Sequence, residues 1–162
     1  MKIEIAAGCR PGAIGRIIEL HGVYYQRHTG FGAIFEARVA TELTEFVRRY
    51  DSARDGIWLL LSDDRIEGSL VIDGIDAQGA GAHLRWFIVS DALRGTGWGN
   101  KLMRTALDFC RERRYAKIFL DTVAGLDAAR HLYEKFGFRM VSQQQGEQWG
   151  AEAIEQRFEC HL

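Results

Sequence analysis

Hydrophobic and polar positions change their spacing several times along the chain. KIEIA at 2–6 alternates apolar and polar residues, which predicts a first strand because strand side chains point alternately to opposite faces. Two segments with apolar residues every three or four positions follow, and they predict two helices, the second beginning near Phe35. From Gly56 the period changes again. IWLLL, the turn SDDR and IEGSLVID then predict a hairpin.

The rest of the chain alternates between predicted strands and helices. HLRWFIV at 83–89 and KIFLDTV at 117–123 are predicted strands with a helix between them. A further helix ends before Gly137, since glycine commonly follows the last helical residue. Two more strands, FRMVSQ and AIEQRFECHL, end the chain. The order β-α-α-β-β-β-α-β-α-β-β predicts an α+β fold with a mixed sheet, in which 83–89 and 117–123 form a parallel crossover.

Length and composition favour one globular domain that spans residues 1–162. A chain of 162 residues can bury a full core, and its single proline and lack of a low-complexity stretch indicate no linker. The net charge of −1 gives no basic excess, so we expect no direct binding of nucleic acid. The longest apolar runs are far shorter than the roughly 20 residues that cross a membrane. We therefore expect no membrane association.

Cysteine usage and the N-terminal residues bear on the cellular compartment. Cys9, Cys110 and Cys160 are widely spaced and form no CxxC pair, so neither a disulfide framework nor a metal site is indicated. MKIEIAAGCRPG lacks the apolar stretch of a signal peptide. These observations predict a cytoplasmic protein with reduced thiols.

One glycine-rich turn stands between a predicted strand and a predicted helix. Residues 93–102 read LRGTGWGNKL, and an uncapped helix N-terminus after glycines is suited to an anion such as phosphate or pyrophosphate. Asn100 follows Gly99 where a P-loop needs lysine, and the alternating glycines do not match the dinucleotide fingerprint. From the glycines alone, an anion site and a plain connecting loop both remain open.

Two motifs together resemble a known family. RGTGWG at 94–99 is similar to the [RQ]xxGx[GA] acyl-CoA signature of the GNAT N-acyltransferase superfamily, and AARHLYEKFGF at 128–138 resembles the family's AxxLYxxxGF helix. HGVYYQRHTGFGAIFEARVA at 21–40, LRWFIV and the ending WGAEAIEQRFECHL look like a branch often fused behind MarR-type helix-turn-helix domains. We expect the acyltransferase-like domain alone here. The resemblance covers nearly the whole chain and implies the GNAT fold, a mixed, mostly antiparallel seven-stranded sheet flanked by about four helices.

The resemblance implies acetyl-CoA as the acyl donor and co-substrate, with no metal. In this family the pyrophosphate lies on backbone N–H groups of the glycine-rich turn, and pantetheine follows the end of the fourth strand. A family asparagine before the last motif is absent from TVAGLD at 122–127, so Thr122 or a backbone group is expected in its place. The implied cofactor-binding residues are Ile88, Val89, Arg94, Gly95, Thr96, Gly97, Trp98, Gly99 and Thr122.

Tyr133 occupies the position of the family's general acid. A thiolate leaving group with a pKa near ~8.5 can be protonated by a tyrosine with a pKa near ~10. The general base is open between His83, whose ordinary pKa suits the task, and Glu67. Each of these side chains could instead be structural, Tyr133 in the core and the other two on the solvated sheet.

The first two helices and the last loop are expected to form the acceptor pocket. An anionic Glu36 beside aromatic rings would suit a cationic amine. A purely structural role stays open for Tyr25 and Phe35 as core residues and for His21 as a satisfied histidine. The predicted acceptor residues are His21, Tyr24, Tyr25, Phe35, Glu36 and Trp149.

The resemblance implies an N-acetyltransferase that transfers the acetyl group of acetyl-CoA to an amine of a small molecule or protein by direct attack. An alternative is a non-catalytic acyl-CoA sensor or partner module, which would keep the glycine-rich turn without needing Tyr133. The alternating last strand could also pair with a second copy, so a homodimer is a further prediction.

Overall fold

The computed structural model describes all residues, Met1 to Leu162. Its helices are α1 (Ala13–Thr29), α2 (Ala33–Arg48), α3 (Trp98–Glu112) and α4 (Asp127–Lys135). Its strands are β1 (Ile3–Ala7), β2 (Gly56–Ser62), β3 (Arg65–Asp73), β4 (Ala82–Val89), β5 (Lys117–Val123), β6 (Arg139–Gly146) and β7 (Ala153–His161). None of the helices is both long and apolar enough to pass through a membrane.

The strands form one seven-stranded sheet in the order β1-β2-β3-β4-β5-β7-β6. Every neighbouring pair is antiparallel except β4 and β5, which are parallel. A parallel pair needs a long crossover, and α3 supplies it. The predicted element order, the mixed sheet and the flanking helices are therefore confirmed.

The parallel pair opens towards its carboxyl ends. β4 and β5 are joined only near their start, where Ala82 aligns with Ile118 and His83 with Phe119. Beyond these positions β4 pairs only with β3, and β5 only with β7. The result is a wedge between two strands in the middle of the sheet, a place where a ligand can reach backbone groups that no neighbouring strand uses.

Apolar residues cover both faces of the sheet. The stripe of α2 that contains Leu43 and Phe46 packs with α1 on one face, while Leu102 and Ala106 of α3 pack with Phe138 on the other. These side chains are almost completely buried, as the helical spacing of apolar residues predicts. The sheet thus separates two cores, and the wedge between β4 and β5 connects the two sides.

A β-bulge in β4 changes which way its side chains point. Trp86 has a φ of 45°, and the pairing of β4 with β3 shifts register between Ser69 and Val71. The Ser69 hydroxyl donates a 2.6 Å hydrogen bond to the carbonyl oxygen of Trp86 and holds the bulge. Trp86 consequently packs among the α1 and α2 residues, and Phe87 packs against the core under α3.

Candidate active site

The glycine-rich turn leads into an uncapped helix. Gly97 precedes the first residue of α3 with a φ of 89°, and no side chain caps the helix there. Gly95 also has a positive φ, and a Cβ added at either glycine would meet no atom within 4 Å. The first-turn N–H groups of α3 therefore face open space and carry the positive end of the helix dipole. This geometry fits a phosphate-bearing ligand.

A cavity of about 570 Å³ adjoins this turn, and we call it the glycine-loop cavity. It lies between the end of β4, the turn and α4, and most of its wall is apolar side chain or glycine backbone. That volume falls in the range of roughly 300–1,000 Å³ that is usual for ligand pockets. Its lining residues are Tyr24, Tyr25, Phe87, Ile88, Val89, Leu93, Arg94, Gly95, Gly97, Gly99, Asn100, Ala128, Ala129, His131, Leu132 and Lys135.

Arg94 lies at the start of the turn and holds it in place. Its guanidinium donates a 2.7 Å hydrogen bond to the carbonyl oxygen of Val89, pairs with Asp91 and lies 4.7 Å from the ring centroid of Tyr24. These contacts tie the turn to the end of β4 and to α1. In this structure Arg94 therefore orders the loop.

α4 supplies polar residues that the sequence analysis missed. Lys135 donates a 2.7 Å hydrogen bond to the side-chain oxygen of Asn100, and His131 lies one turn before it on the same wall of the glycine-loop cavity. Ala128 also lines this wall. The spacing of Ala128, His131 and Lys135 marks one face of a helix, so helical periodicity within the second motif was the signal that could have found them.

A second cavity, of about 190 Å³, lies on the other side of β4 under α1 and α2, and we call it the polar cavity. Charged side chains line it together with aromatic ones, and the β6–β7 loop covers one end. Tyr25 and Phe87 line both cavities, so the two meet at the wedge. Its lining residues are His21, Tyr25, Phe35, Arg38, Val39, Glu42, His83, Leu84, Arg85, Trp86, Phe87, Leu120, Asp121, Thr122, Val123, Tyr133, Gln148 and Trp149.

Tyr133 reaches the polar cavity from α4. Its ring packs among Phe87, Phe138 and Phe158 at centroid distances of 6.1 to 6.4 Å. Burial, with smaller contributions from Tyr25 and Tyr24, raises the pKa of the Tyr133 hydroxyl well above its ordinary value. The hydroxyl therefore keeps its proton throughout the physiological range of pH, as a proton donor must.

His83, at the start of β4, also lines the polar cavity. Its ring stacks on Phe119 at 4.3 Å, and Nε2 lies 3.7 Å from a carboxylate oxygen of Asp121. Burial and the positive charge of Arg85 lower the pKa of His83 to about 4 and outweigh the opposing effect of Asp121. The imidazole is therefore neutral at physiological pH, but it is a much weaker base than the ordinary histidine on which the predicted role of general base depends.

A network of arginines and carboxylates surrounds the polar cavity, and the sequence analysis did not find it. Arg85 donates hydrogen bonds to Glu42 at 2.7 Å and to Asp73 at 3.3 Å, and Arg38 donates to the other oxygen of Glu42 at 2.8 Å. Arg157 engages both oxygens of Asp121. The members come from α2, β3, β4, β5 and β7, so no short motif joins them.

The predicted cofactor residues divide between the two cavities. Ile88, Val89, Arg94, Gly95, Gly97 and Gly99 all line the glycine-loop cavity. Thr122 lines the polar cavity instead. Thr96 and Trp98 line neither of the two: the Thr96 hydroxyl bonds to the carbonyl of Leu93, and the Trp98 ring packs on the core with Lys101 over it.

The predicted acceptor residues also divide. His21, Tyr25, Phe35 and Trp149 line the polar cavity, whereas Tyr24 lines the glycine-loop cavity alone. Glu36 lines neither of the two cavities; it is exposed on α2, with its carboxylate over Gly22 of α1.

His21 has the features of a structural histidine. Its Nδ1 lies 2.8 Å from the carbonyl oxygen of Ile17, and burial lowers its pKa to about 4. Glu67, the other candidate base, lies outside the polar cavity and pairs with Arg16 at 3.4 Å and Arg65 at 2.9 Å.

Comparison with known proteins identifies the family. The model of the acetyltransferase (GNAT) family matches residues 17–138, which include the glycine-rich turn and Tyr133. The chain belongs to the GNAT acetyltransferase family. This membership confirms the predicted fold and the predicted class of acyltransferase, and acetyl-CoA is the acyl donor that the family uses. The glycine-loop cavity, with its open glycines and uncapped helix, fits that donor.

Relatives share the fold at low sequence identity. Human N-acetyltransferase 8 is 27% identical over 109 residues, which are 65% of this chain and 48% of the relative. The chain thus spans about half the length of the curated relatives that it matches. A GNAT acetyltransferase from Staphylococcus aureus superposes with a TM-score of 0.78 at 17% identity over 99% of both chains. A Bacillus anthracis acetyltransferase solved with acetyl coenzyme A superposes with a TM-score of 0.60 at 20% identity, over 74% of this chain and 67% of the other.

Proposed function

We propose that the protein is an N-acetyltransferase that transfers the acetyl group of acetyl-CoA to an amine bound in the polar cavity. One observation carries the proposal: two cavities of different chemistry meet at the wedge between β4 and β5, and Tyr25 and Phe87 line both. A donor in one cavity and an acceptor in the other would meet there without a covalent enzyme intermediate.

Two residues of the polar cavity, Tyr133 and His83, can contact the reacting groups. Acetyl-CoA, when bound, supplies an acyl group activated as a thioester. Tyr133 holds a proton that it can pass to a thiolate, whose own pKa burial also raises. His83 is neutral and a quarter exposed, so it can accept a hydrogen bond from the attacking amine. A pKa of about 4 is too low for it to deprotonate an ammonium group, so the amine attacks as its free base and the proton that it loses passes to solvent. Backbone N–H groups of β4 that face the wedge are candidates to stabilise the developing oxyanion.

The donor would be held mainly by main-chain groups. We propose that N–H groups of the turn from Gly95 to Gly99 bind the pyrophosphate, with Lys135 and His131 adding positive charge from α4. The N–H of Ser90 donates a 2.7 Å hydrogen bond to the carbonyl oxygen of Glu67, so in this antiparallel ladder Ile88 pairs with Ser69 of β3, and the backbone groups of Val89 point away from β3. The carbonyl of Val89 already accepts a hydrogen bond from Arg94, so the N–H of Val89 is the free backbone group for the pantetheine.

The test is a thiol-release assay with acetyl-CoA over a panel of amines. We expect release of CoA together with one N-acetylated amine per thiol. Tight binding of CoA without acetylation of any amine would favour the alternative, a non-catalytic acyl-CoA sensor. The presence of Tyr133 and His83 in one cavity favours the enzyme.

Several further predictions belong to this proposal. Residues 1–162 would act as one catalytic domain in the cytoplasm, with acetyl-CoA and an amine as partners and without direct contact to nucleic acid. The similarity to domains fused with MarR-type regulators leaves cooperation with such a regulator as a prediction. The prediction that the last strand pairs with a second copy is wrong in its choice of strand, because β7 lies between β5 and β6. A homodimer would use an edge of the sheet, β1 or β6.

A further inference from the structure

The carboxylates around the polar cavity are all engaged by other groups of the protein. Both oxygens of Glu42 accept hydrogen bonds from arginines, and both oxygens of Asp121 accept from Arg157. Glu155, buried nearby on β7, accepts the backbone N–H of Gln148. Each of these carboxylates is therefore already neutralised or hydrogen-bonded within the protein.

Arg38 differs from the other charged side chains of this cavity. Its Nε donates to Glu42, and its Nη1 donates to the carbonyl oxygen of Gln148 in the β6–β7 loop. Its Nη2 makes no hydrogen bond within the protein, although a guanidinium carries five N–H donors. The side chain is 36% exposed, whereas Arg85 is 17% exposed and bonds to two carboxylates. Arg38 thus lines the cavity with donors to spare.

The size of the polar cavity restricts where an anionic group of the acceptor can be. Its volume of about 190 Å³ is below the roughly 300–1,000 Å³ of pockets for larger ligands. Arg38 and Tyr133 line this one small cavity. Consider an acceptor whose amine lies at the wedge beside Tyr133. A second group of that molecule that contacts Arg38 is then only a few bonds away from the amine.

We infer that the acceptor is a small amino acid, whose carboxylate binds Arg38 while its α-amine lies at the wedge beside Phe87 and Tyr133. Arg38, Arg85 and Arg49 share only two carboxylates, Glu42 and Asp73, so the cluster keeps one positive charge that matches the single charge of a carboxylate. The Nη2 group of Arg38 can donate a charge-assisted hydrogen bond to it. The aromatic walls of Phe35, Trp86 and Trp149 suit an apolar side chain on the same molecule. This inference rests on the proposed function for the reaction and on Arg38 for the choice of substrate.

The experiment compares matched acceptors that differ only in the carboxylate. L-Leucine, L-methionine and L-phenylalanine are each set against the corresponding decarboxylated amine and the corresponding carboxamide, with the full chain and acetyl-CoA. We expect kcat/KM to be at least about tenfold higher for the amino acid, because a hydrogen-bonded charge pair is lost in the other two. Calorimetric binding of the same ligands in the presence of CoA gives the preference without any turnover.

Variants assign the preference to Arg38. Arg38→Gln is expected to raise the KM for the amino acid about tenfold and to leave the KM for the carboxamide within twofold, with Arg38→Lys in between. Arg104→Gln changes an exposed arginine of α3 outside both cavities and serves as the matched control. An equal effect of Arg38→Gln on amino acid and carboxamide would mean that Arg38 only holds the loop, and would overturn the inference.

The outcomes separate the inference from the proposed function. Equal or better acetylation of the decarboxylated amines contradicts the inference and leaves the N-acetyltransferase intact. Selective binding of amino acids without acetylation supports the inference and contradicts the enzyme. Binding of none of these ligands contradicts the inference, whatever the enzyme does with other amines.

Discussion

The two cavities that meet at the wedge are built in opposite ways. The glycine-loop cavity is lined mainly by glycine backbone and apolar side chains from two short stretches, 87–100 and 128–135, with Tyr24 and Tyr25 added from α1. The polar cavity is lined by charged and aromatic side chains that come from positions between 21 and 149. A site made from backbone depends on local sequence, whereas a site made from distant side chains depends on how the elements pack.

The largest effect is expected where the two cavities meet. Replacing Tyr133 by Phe removes the proton donor and keeps the ring, so turnover should fall about 100-fold while affinity for acetyl-CoA stays unchanged. Steady-state kinetics with the best acceptor, together with calorimetric binding of CoA, checks this. Full turnover in Tyr133→Phe would show that the buried hydroxyl takes no part in the reaction and that Tyr133 has only a structural role.

The next largest effect is expected at the backbone of the glycine-rich turn, which borders the glycine-loop cavity and not the polar cavity. Gly97→Ala puts a Cβ into the open side of the turn at a φ of 89°, so the KM for acetyl-CoA should rise about tenfold through strain and lost space. Gly12→Ala is the matched control, because Gly12 precedes α1 with a φ of 88° and also has open space around it. Equal losses in the two variants would point to backbone strain alone and against a donor at Gly97.

A smaller effect concerns the pH profile of the polar cavity. Because the pKa of His83 is lowered to about 4, His83 stays unprotonated as pH falls from 8 to 5, and activity should fall there only with protonation of the amine acceptor. His83→Gln should lower kcat about tenfold without changing the shape of this profile above pH 5. An inflection near pH 6.5 that disappears in His83→Gln would contradict the buried, neutral histidine.

The smallest effect is expected at Glu36, and it tests how far along α2 the acceptor site extends. Glu36 is exposed and lines neither cavity, so Glu36→Gln should change kcat/KM for the amine less than about twofold. Glu42→Gln, on the same helix, removes a carboxylate that bonds to both Arg38 and Arg85, and it should raise the acceptor KM more. A larger effect of Glu36→Gln would place the acceptor on the outer face of α2.

Glu36 and Glu42 also show how far a sequence can be interpreted. The periodic stripe with Val39 and Leu43 predicts correctly which face of α2 is buried. It does not tell which flank of that stripe faces the open strands, because that depends on how α2 lies across the sheet. Glu42 is on that flank and Glu36 is not.

The strand pattern has a similar limit. HLRWFIV predicts β4 and its place in the chain, and the motif at 94–99 predicts the turn, because both depend on neighbouring residues. The bulge at Trp86 depends instead on a hydrogen bond from Ser69 on another strand. That bulge brings Phe87 to the wall shared by the two cavities, and it has no local signal in the sequence.

The central claim is that a donor in the glycine-loop cavity acetylates an amine in the polar cavity. The most direct measurement is the mass spectrum of an amine incubated with acetyl-CoA and the full chain, with the released thiol quantified in the same sample. We expect an amine heavier by one acetyl group for each thiol released, and a rate about 100-fold lower with Tyr133→Phe. Saturable binding of CoA with no acetylated amine across the panel would contradict it.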